Sequence, residues 1–182
     1  MNRKKFLKHL GGTSLATMIP LSATMAALKN KKSVGTKTKE KIVRDKEGTE
    51  LIIFGNPQYH KVTGEETNSQ MFEWVEHLKP GSGIPTHVHT KEDEVFRVLS
   101  GQLEITVDGK STVLNPGDMA FAPKNIPHSW RVIGDKEAKM STTAFPSGME
   151  HMFHDLGAMP PGKPDFAKVA EICSKYGINF IK

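Results

Sequence analysis

Two short polar segments set into β-rich sequence constrain this chain more than anything else in it. They read G-S-G-I-P-T-H-V-H-T-K-E-D-E-V-F-R-V-L-S-G from Gly81 to Gly101 and P-G-D-M-A-F-A-P-K-N-I-P-H-S-W from Pro116 to Trp130. Between them they hold three imidazoles and a carboxylate: His87, His89, Glu94 and His128. Residues two apart on a strand face the same way, so His87 and His89 share a face. Glu94 follows after room for a short bend, and His128 arrives from a distant strand behind a proline-rich turn. Imidazole nitrogens with a carboxylate oxygen suit one divalent transition metal, whether Fe, Mn, Ni, Cu, Co or Zn. A set of this kind leaves coordination positions open, as in sites that do chemistry rather than closed structural ones.

The two segments resemble the paired motifs of the cupins. The first motif is a glycine, five residues, H-x-H, three or four residues, a glutamate, six residues and a glycine. Gly81, His87, His89, Glu94 and Gly101 keep every spacing. The second is matched by Gly117, Pro123 and His128, with Asn125 where a second glycine is usual and Val132 in place of a terminal asparagine. Asparagine tolerates the left-handed backbone that such a glycine serves. The resemblance extends over residues 70–135. It implies an all-β fold, a double-stranded β-helix or jelly-roll cupin barrel, and a metal held by His87, His89, Glu94 and His128.

Strand signals agree. Runs at 50–54, 71–78, 95–99, 103–107, 111–114, 119–122, 129–133 and 138–145 are β-rich and separated by turn residues, as all-β sandwiches and barrels require. Asp108-Gly109 predicts a tight hairpin. Beyond residue 146 the pattern changes, predicting one or two short C-terminal helices, over 147–156 and from an Asp165 cap to a stop at Gly177. Phe166, Val169, Ala170 and Cys173 fall on one face of the second helix. Cys173 is the single cysteine and is expected to be a buried, inert thiol. That helical ending resembles small single-domain cupins grouped with quercetinases.

The net charge of +5 misleads about partners. Residues 1–41 carry a net +9 and the remainder a net −4, so the folded part is mildly acidic and a nucleic-acid partner is not expected. Residues 1–28 read as an export signal: Arg3, Lys4, Lys5 and Lys8 precede an apolar stretch with small residues at 23–27. N-R-K-K-F-L-K resembles a twin-arginine signal with Lys4 in the second arginine's place. Gly11, Gly12 and Pro20 interrupt the apolar stretch, so no stable membrane insertion is expected after processing. Residues 29–40 are polar and cationic, a flexible linker, and 41–182 form the cupin domain. The expected location is outside the cytoplasm, periplasmic or secreted.

Alternation sends Phe96 and Val98 inward with Glu94, and Trp130 and Val132 inward with His128. Phe96 and Trp130 are therefore candidate walls of a substrate pocket, with Phe72, Trp74, Met119 and Phe121 as further candidates. His60 and His77 are expected to be partly exposed, and His151 and His154 to lie on a solvated helix face. The partner expected is a small-molecule substrate, and a homodimer is compatible with the sequence. The resemblance implies a metal-dependent dioxygenase for a small aromatic or enediol-like substrate. Glu94 would there be catalytic as well as a ligand, accepting a substrate proton. A metal-dependent isomerase or lyase and a non-catalytic small-molecule-binding cupin are the alternatives, since one fold hosts many chemistries.

Overall fold

A computed structural model describes residues 38–181, so the segment read as an export signal and most of that read as a linker lie outside the described residues. Lys61 fixes the start of the domain. Its ammonium donates to the carbonyls of Arg44, Asp45 and Glu47, which turns the incoming chain onto the first sheet.

That sheet has six strands in the order β1-β2-β3-β10-β5-β8. They are β1 (Thr49–Ile53), β2 (Asn56–Val62), β3 (Phe72–Leu78), β5 (Asp93–Ser100), β8 (Met119–Ala122) and β10 (Ala138–Phe145). The second sheet has five, β11-β4-β9-β6-β7: β4 (Gly83–His89), β6 (Leu103–Val107), β7 (Lys110–Leu114), β9 (His128–Val132) and β11 (Ile178–Phe180). All pairings are antiparallel. Two facing antiparallel sheets with apolar inner rows make the expected jelly roll.

The helices are α1 (Gly64–Thr67), α2 (Met149–Gly157) and α3 (Phe166–Lys175). The last two match the expected ending, and the Asp165 carboxylate accepts from the amides of Ala167 and Lys168 to start α3. Phe166 departs from expectation. It is exposed, and the face α3 buries is Val169, Ile172 and Cys173. Burial raises the Cys173 thiol to about 11, which leaves it protonated and inert.

Three elements escaped the sequence pattern. Gly55-Asn56-Pro57 reads as a stop, yet β2 begins at Asn56 with Pro57 opposite Ile52 near the turn of a hairpin. Helix α1 is one turn long, and β11 lies in three residues after a helix stop. Gly101, by contrast, does what its motif position implies. It has φ +72, and a Cβ there would lie 2.6 Å from both the Ala138 Cα and the Glu137 carbonyl oxygen. Asn125 takes φ +65, the left-handed backbone of the glycine it replaces.

The apolar interior has two parts. Leu78, Phe96, Val98, Leu103, Ile105, Trp130, Val132 and Met140 fill the space between the sheets. Phe72, Trp74, Met152, Phe153, Val169, Ile172 and Ile178 join the barrel end to α2 and α3. Strand β11 is the tie between them. It pairs with β4, setting Ile178 against His89 and Phe180 against His87. Ile178→Ala should therefore cost about 2–5 kcal/mol in chemical denaturation. A loss under about 0.5 kcal/mol, the range of ordinary surface changes, would show that β11 is not part of the folded core.

Candidate metal centre

The two sheets meet at four polar side chains. His87 and His89 come from β4 and His128 from the start of β9, paired with His87 across the second sheet. Glu94 comes from β5 in the first sheet. All four are at least 95% buried, and their ligand atoms lie within 4.8 Å of one another. Ring centroids of His87 and His128 are 4.3 Å apart, and those of His89 lie about 5 Å from each.

Hydrogen bonds fix which nitrogens face inward. His87 Nδ1 lies 2.9 Å from the Pro85 carbonyl and His128 Nδ1 lies 3.0 Å from that of Ile126. A carbonyl accepts only, so both Nδ1 atoms carry the proton and both Nε2 atoms present lone pairs to the centre. His128 Nε2 nevertheless lies 3.0 Å from Glu94 Oε2, and His89 Nε2 lies 3.4 Å from the same oxygen. Lone pairs meeting a carboxylate at that range repel unless a proton or a cation stands between them. The donor set thus calls for positive charge at its middle, and a divalent transition metal fits it.

Titration behaviour follows the same geometry. Burial, and then the neighbouring His128, pushes His87 down to about 4, so it is a neutral ligand at physiological pH. For His89 burial also favours the neutral form, but the negative charges of Glu94 and Glu92 outweigh it and raise its pKa. Burial alone would raise Glu94; positive charge on His89, and a proton on His128 Nε2 that donates to it, hold it below the usual carboxylate range when no metal stands between them.

Sequence reasoning missed two carboxyls here. Glu92 is 3% exposed, with Oε2 3.7 Å from His89 Nδ1 and no hydrogen-bond partner on either atom. It stands where an outer partner orients a ligating imidazole. Glu76 lies on the inner face of β3, two residues beyond Trp74. The signal was available, since the alternation that turns Phe72 and Trp74 inward continues to Glu76.

A cavity of about 80 Å³ opens beside the four-residue cluster. Trp74, Glu76, Phe96, Trp130 and Thr142 line it from the sheets, and Met152, Phe153 and Cys173 close it from α2 and α3. Glu76 keeps some accessible surface, which this enclosed space accounts for, and the lack of bulk water raises its carboxyl to about 8. Trp74, Phe96 and Trp130 stand at the cavity. Phe72 does not line it: it is fully buried behind Trp74, stacked at 4.7 Å. Met119 and Phe121 are half exposed on the outer face. The register of β5 with β8 sets Phe96 against Ala120 and Glu94 against Ala122, so it is the alanines that turn inward.

His60 also differs from expectation. It is 1% exposed, 4.7 Å from the Phe72 ring, and burial pushes it down to about 4. His77 is half-buried, and His151 and His154 are exposed on α2. Among the described residues, the four-residue cluster is the one group placed to hold a metal.

With this architecture in hand, residues 74–144 match the Cupin_2 cupin domain, and the fold is that of a double-stranded β-helix cupin barrel. Quercetin 2,3-dioxygenase of Bacillus subtilis (strain 168) is 33% identical over 118 residues, 64% of this chain and 34% of that enzyme. The chain thus spans about a third of that relative's length. An uncharacterized protein of Aquifex aeolicus (strain VF5) is 30% identical over 92 residues, 50% of this chain and 69% of that one. Among solved structures, KdgF from Halomonas sp. aligns with TM-score 0.53 at 16% identity, covering 62% of this chain and 99% of that one, which speaks to the fold alone. Among the described residues no helix is long and apolar enough to cross a membrane.

Two outcomes are expected of this centre. The double substitution His87→Ala with His128→Ala should abolish metal retention in elemental analysis while the far-ultraviolet dichroism of the barrel persists; full retention would contradict the assignment. In the metal-free protein Glu76 should act on stability with a definite sign. Its folded pKa of about 8 lies above its ordinary value of 4.5, so the folded state holds the proton longer. Its contribution is then full below pH 4.5, declines as pH rises to 8, and is flat beyond. Glu76→Gln should remove that decline, worth up to a few kcal/mol at about 1.4 kcal/mol per pKa unit. Identical pH–stability curves would contradict it.

Proposed function

We propose that the protein is a metal-dependent oxidoreductase of the dioxygenase type, acting on a small enediol-like or aromatic substrate. The observation that carries this reading is the buried Glu94 carboxylate, held by His89 and His128 at the mouth of an enclosed apolar cavity. A divalent transition metal on His87, His89, Glu94 and His128 would supply Lewis acidity, polarising a substrate oxygen and easing loss of its proton.

The chain's own residues do the rest. Glu94 accepts the substrate hydroxyl's proton on its carboxylate, leaving an electron-rich organic anion suited to react with dioxygen. Phe96 and Trp130 flank the cluster and Met152 and Phe153 close the cavity, excluding water that would compete for the reactive anion. Cavity size bears on the substrate. At about 80 Å³ it is smaller than the roughly 150 Å³ that admits benzene. A compact enediol fits this volume more readily than an aromatic ring.

A second reading has an observation of its own. Glu76 gives the cavity a second carboxyl, protonated while Glu94 is ionised, and such a pair suits an isomerase or lyase that uses no oxygen. Turnover of small enediols and catechols by metal-loaded protein, with and without dioxygen, separates the two. The expected result is oxygen uptake in step with substrate loss, and turnover per bound metal lowered about 10²–10⁴-fold in Glu94→Gln. Equal conversion without oxygen replaces the dioxygenase with the isomerase or lyase. Ligand binding with no conversion leaves a binding module.

Export is proposed alongside, supported by the basic start, the apolar stretch and the cationic linker. Mass spectrometry of protein from the native cell should find a mature start between residues 26 and 29 in a non-cytoplasmic fraction. Intact Met1 in a cytosolic fraction overturns this.

A further inference from the structure

The inner face of the first sheet carries polar groups that no part of the protein satisfies. Trp74 Nε1 and Thr142 Oγ1 are buried and have no hydrogen-bond partner, and both residues line the cavity. Trp74 is 3% and Thr142 0% exposed, so bulk water does not serve them. Trp74 Nε1 lies where it favours the ionised form of Glu76, but it completes no hydrogen bond to that carboxyl. A buried donor or hydroxyl left alone costs about 1–3 kcal/mol, which a folded core does not normally tolerate twice in one cavity.

Strand register puts the three together. Trp74 and Thr142 are direct partners between β3 and β10, and Thr142 is the partner of Phe96 on β5. Glu76 follows Trp74 on the same face, one row farther from Glu94, which pairs with Ala144 on the opposite side of the Thr142 row. In the sheet Thr142 lies one strand and two residues from Glu94, and Glu76 two strands and four residues away, yet their side chains line one small cavity and Glu76 feels the Glu94 charge. The cavity therefore has one polar end at the His/Glu cluster, apolar walls, and a second polar end reached through Thr142. Its volume, equal to about three waters at roughly 30 Å³ each, leaves space for a narrow molecule and not a broad one.

We propose that Trp74, Glu76 and Thr142 form a recognition pole for the far end of the substrate. The substrate class it selects is a slender, unbranched molecule of a few heavy atoms, with an anionic oxygen group at the metal-cluster end and a hydroxyl or carbonyl at the other. This rests on the metal-dependent small-molecule reading above and narrows it. The indole N–H donates to the terminal oxygen, while the Thr142 hydroxyl and the Glu76 carboxyl each donate or accept as that oxygen requires. A site built to hydrogen-bond a substrate oxygen discriminates against the analogue lacking it, because its own buried groups then stay unpaired.

The test uses the full chain loaded with zinc, which is redox-inert, and a pair of probes of equal heavy-atom count, 3-hydroxypropionate and butyrate. Zinc stoichiometry is measured first by elemental analysis. Failure to hold about one ion per chain sinks the metal reading and this inference with it. Calorimetric titration of the loaded protein should then give 3-hydroxypropionate a preference of roughly three- to tenfold over butyrate. Thr142→Val and Glu76→Leu should each reduce that preference toward parity by weakening 3-hydroxypropionate binding, with zinc content still about one ion per chain. Thr142→Ser should retain it, which shows that a loss in the valine variant is not misfolding. Equal affinities in the wild type, a preference that survives both substitutions, or no binding of either probe by fully zinc-loaded protein overturns the recognition pole while leaving the metal centre intact.

Discussion

The site depends on Glu94 reaching across from the first sheet to three imidazoles of the second. Burying a carboxylate costs several kcal/mol, and the Nε2 lone pairs of neutral His87 and His128 facing it add repulsion. Only positive charge at their meeting point reverses that balance. Two of the imidazoles have their protons fixed outward by the Pro85 and Ile126 carbonyls, so they cannot rotate away from the problem. The sheets are thus joined by apolar packing over most of their area and by a cation-demanding knot at one end. The knot's strand, β4, is further held by β11, which places the tail of the fold in direct support of its polar centre.

The same arrangement explains why two carboxyls in one cavity behave oppositely. Glu94 and Glu76 both suffer desolvation, which raises the pKa of each. Glu94 has His89 and His128 within 3.4 Å, and their positive character outweighs burial. Glu76 has only an indole N–H on the favourable side, and the Glu94 charge works against it. Separation of acid and base roles thus comes from what stands beside each group and not from the groups themselves.

How far the sequence revealed this depended on whether a local rule or a tertiary register decided the residue. The motif spacing identified His87, His89, Glu94 and His128, and period-two alternation turned Phe96, Trp130 and Trp74 inward correctly. Turn chemistry at Asp108-Gly109, Gly101 and Asn125 was equally local, and each takes positive φ. Met119 and Phe121 went astray because a four-residue strand of alternating small and large residues has no intrinsic inside. Only its pairing with β5 makes the alanines face inward. His60 was hidden for a related reason: nothing near it in sequence shows that α2, about ninety residues later, packs over it. Glu76 is different, since alternation did point to it. A glutamate is seldom buried without a charged partner, so alternation alone does not place it inside.

The C-terminal helices turn a barrel mouth into a chamber, and that changes the physics inside it. Without Met152, Phe153 and Val169 across the opening, Trp74 Nε1 and Thr142 Oγ1 would be hydrated, and Glu76 would titrate near its ordinary value. With them, every polar group in the chamber must find its partner in the protein or in whatever enters. The cluster end satisfies itself only around a cation, and at the β3–β10 end Trp74 Nε1 and Thr142 Oγ1 complete no hydrogen bond. A ligand able to join the two ends gains more than the sum of its contacts, because it removes desolvation costs the empty fold already bears. Selectivity in such a chamber belongs to the cap as much as to the metal residues, since the cap keeps bulk water from serving in the ligand's place.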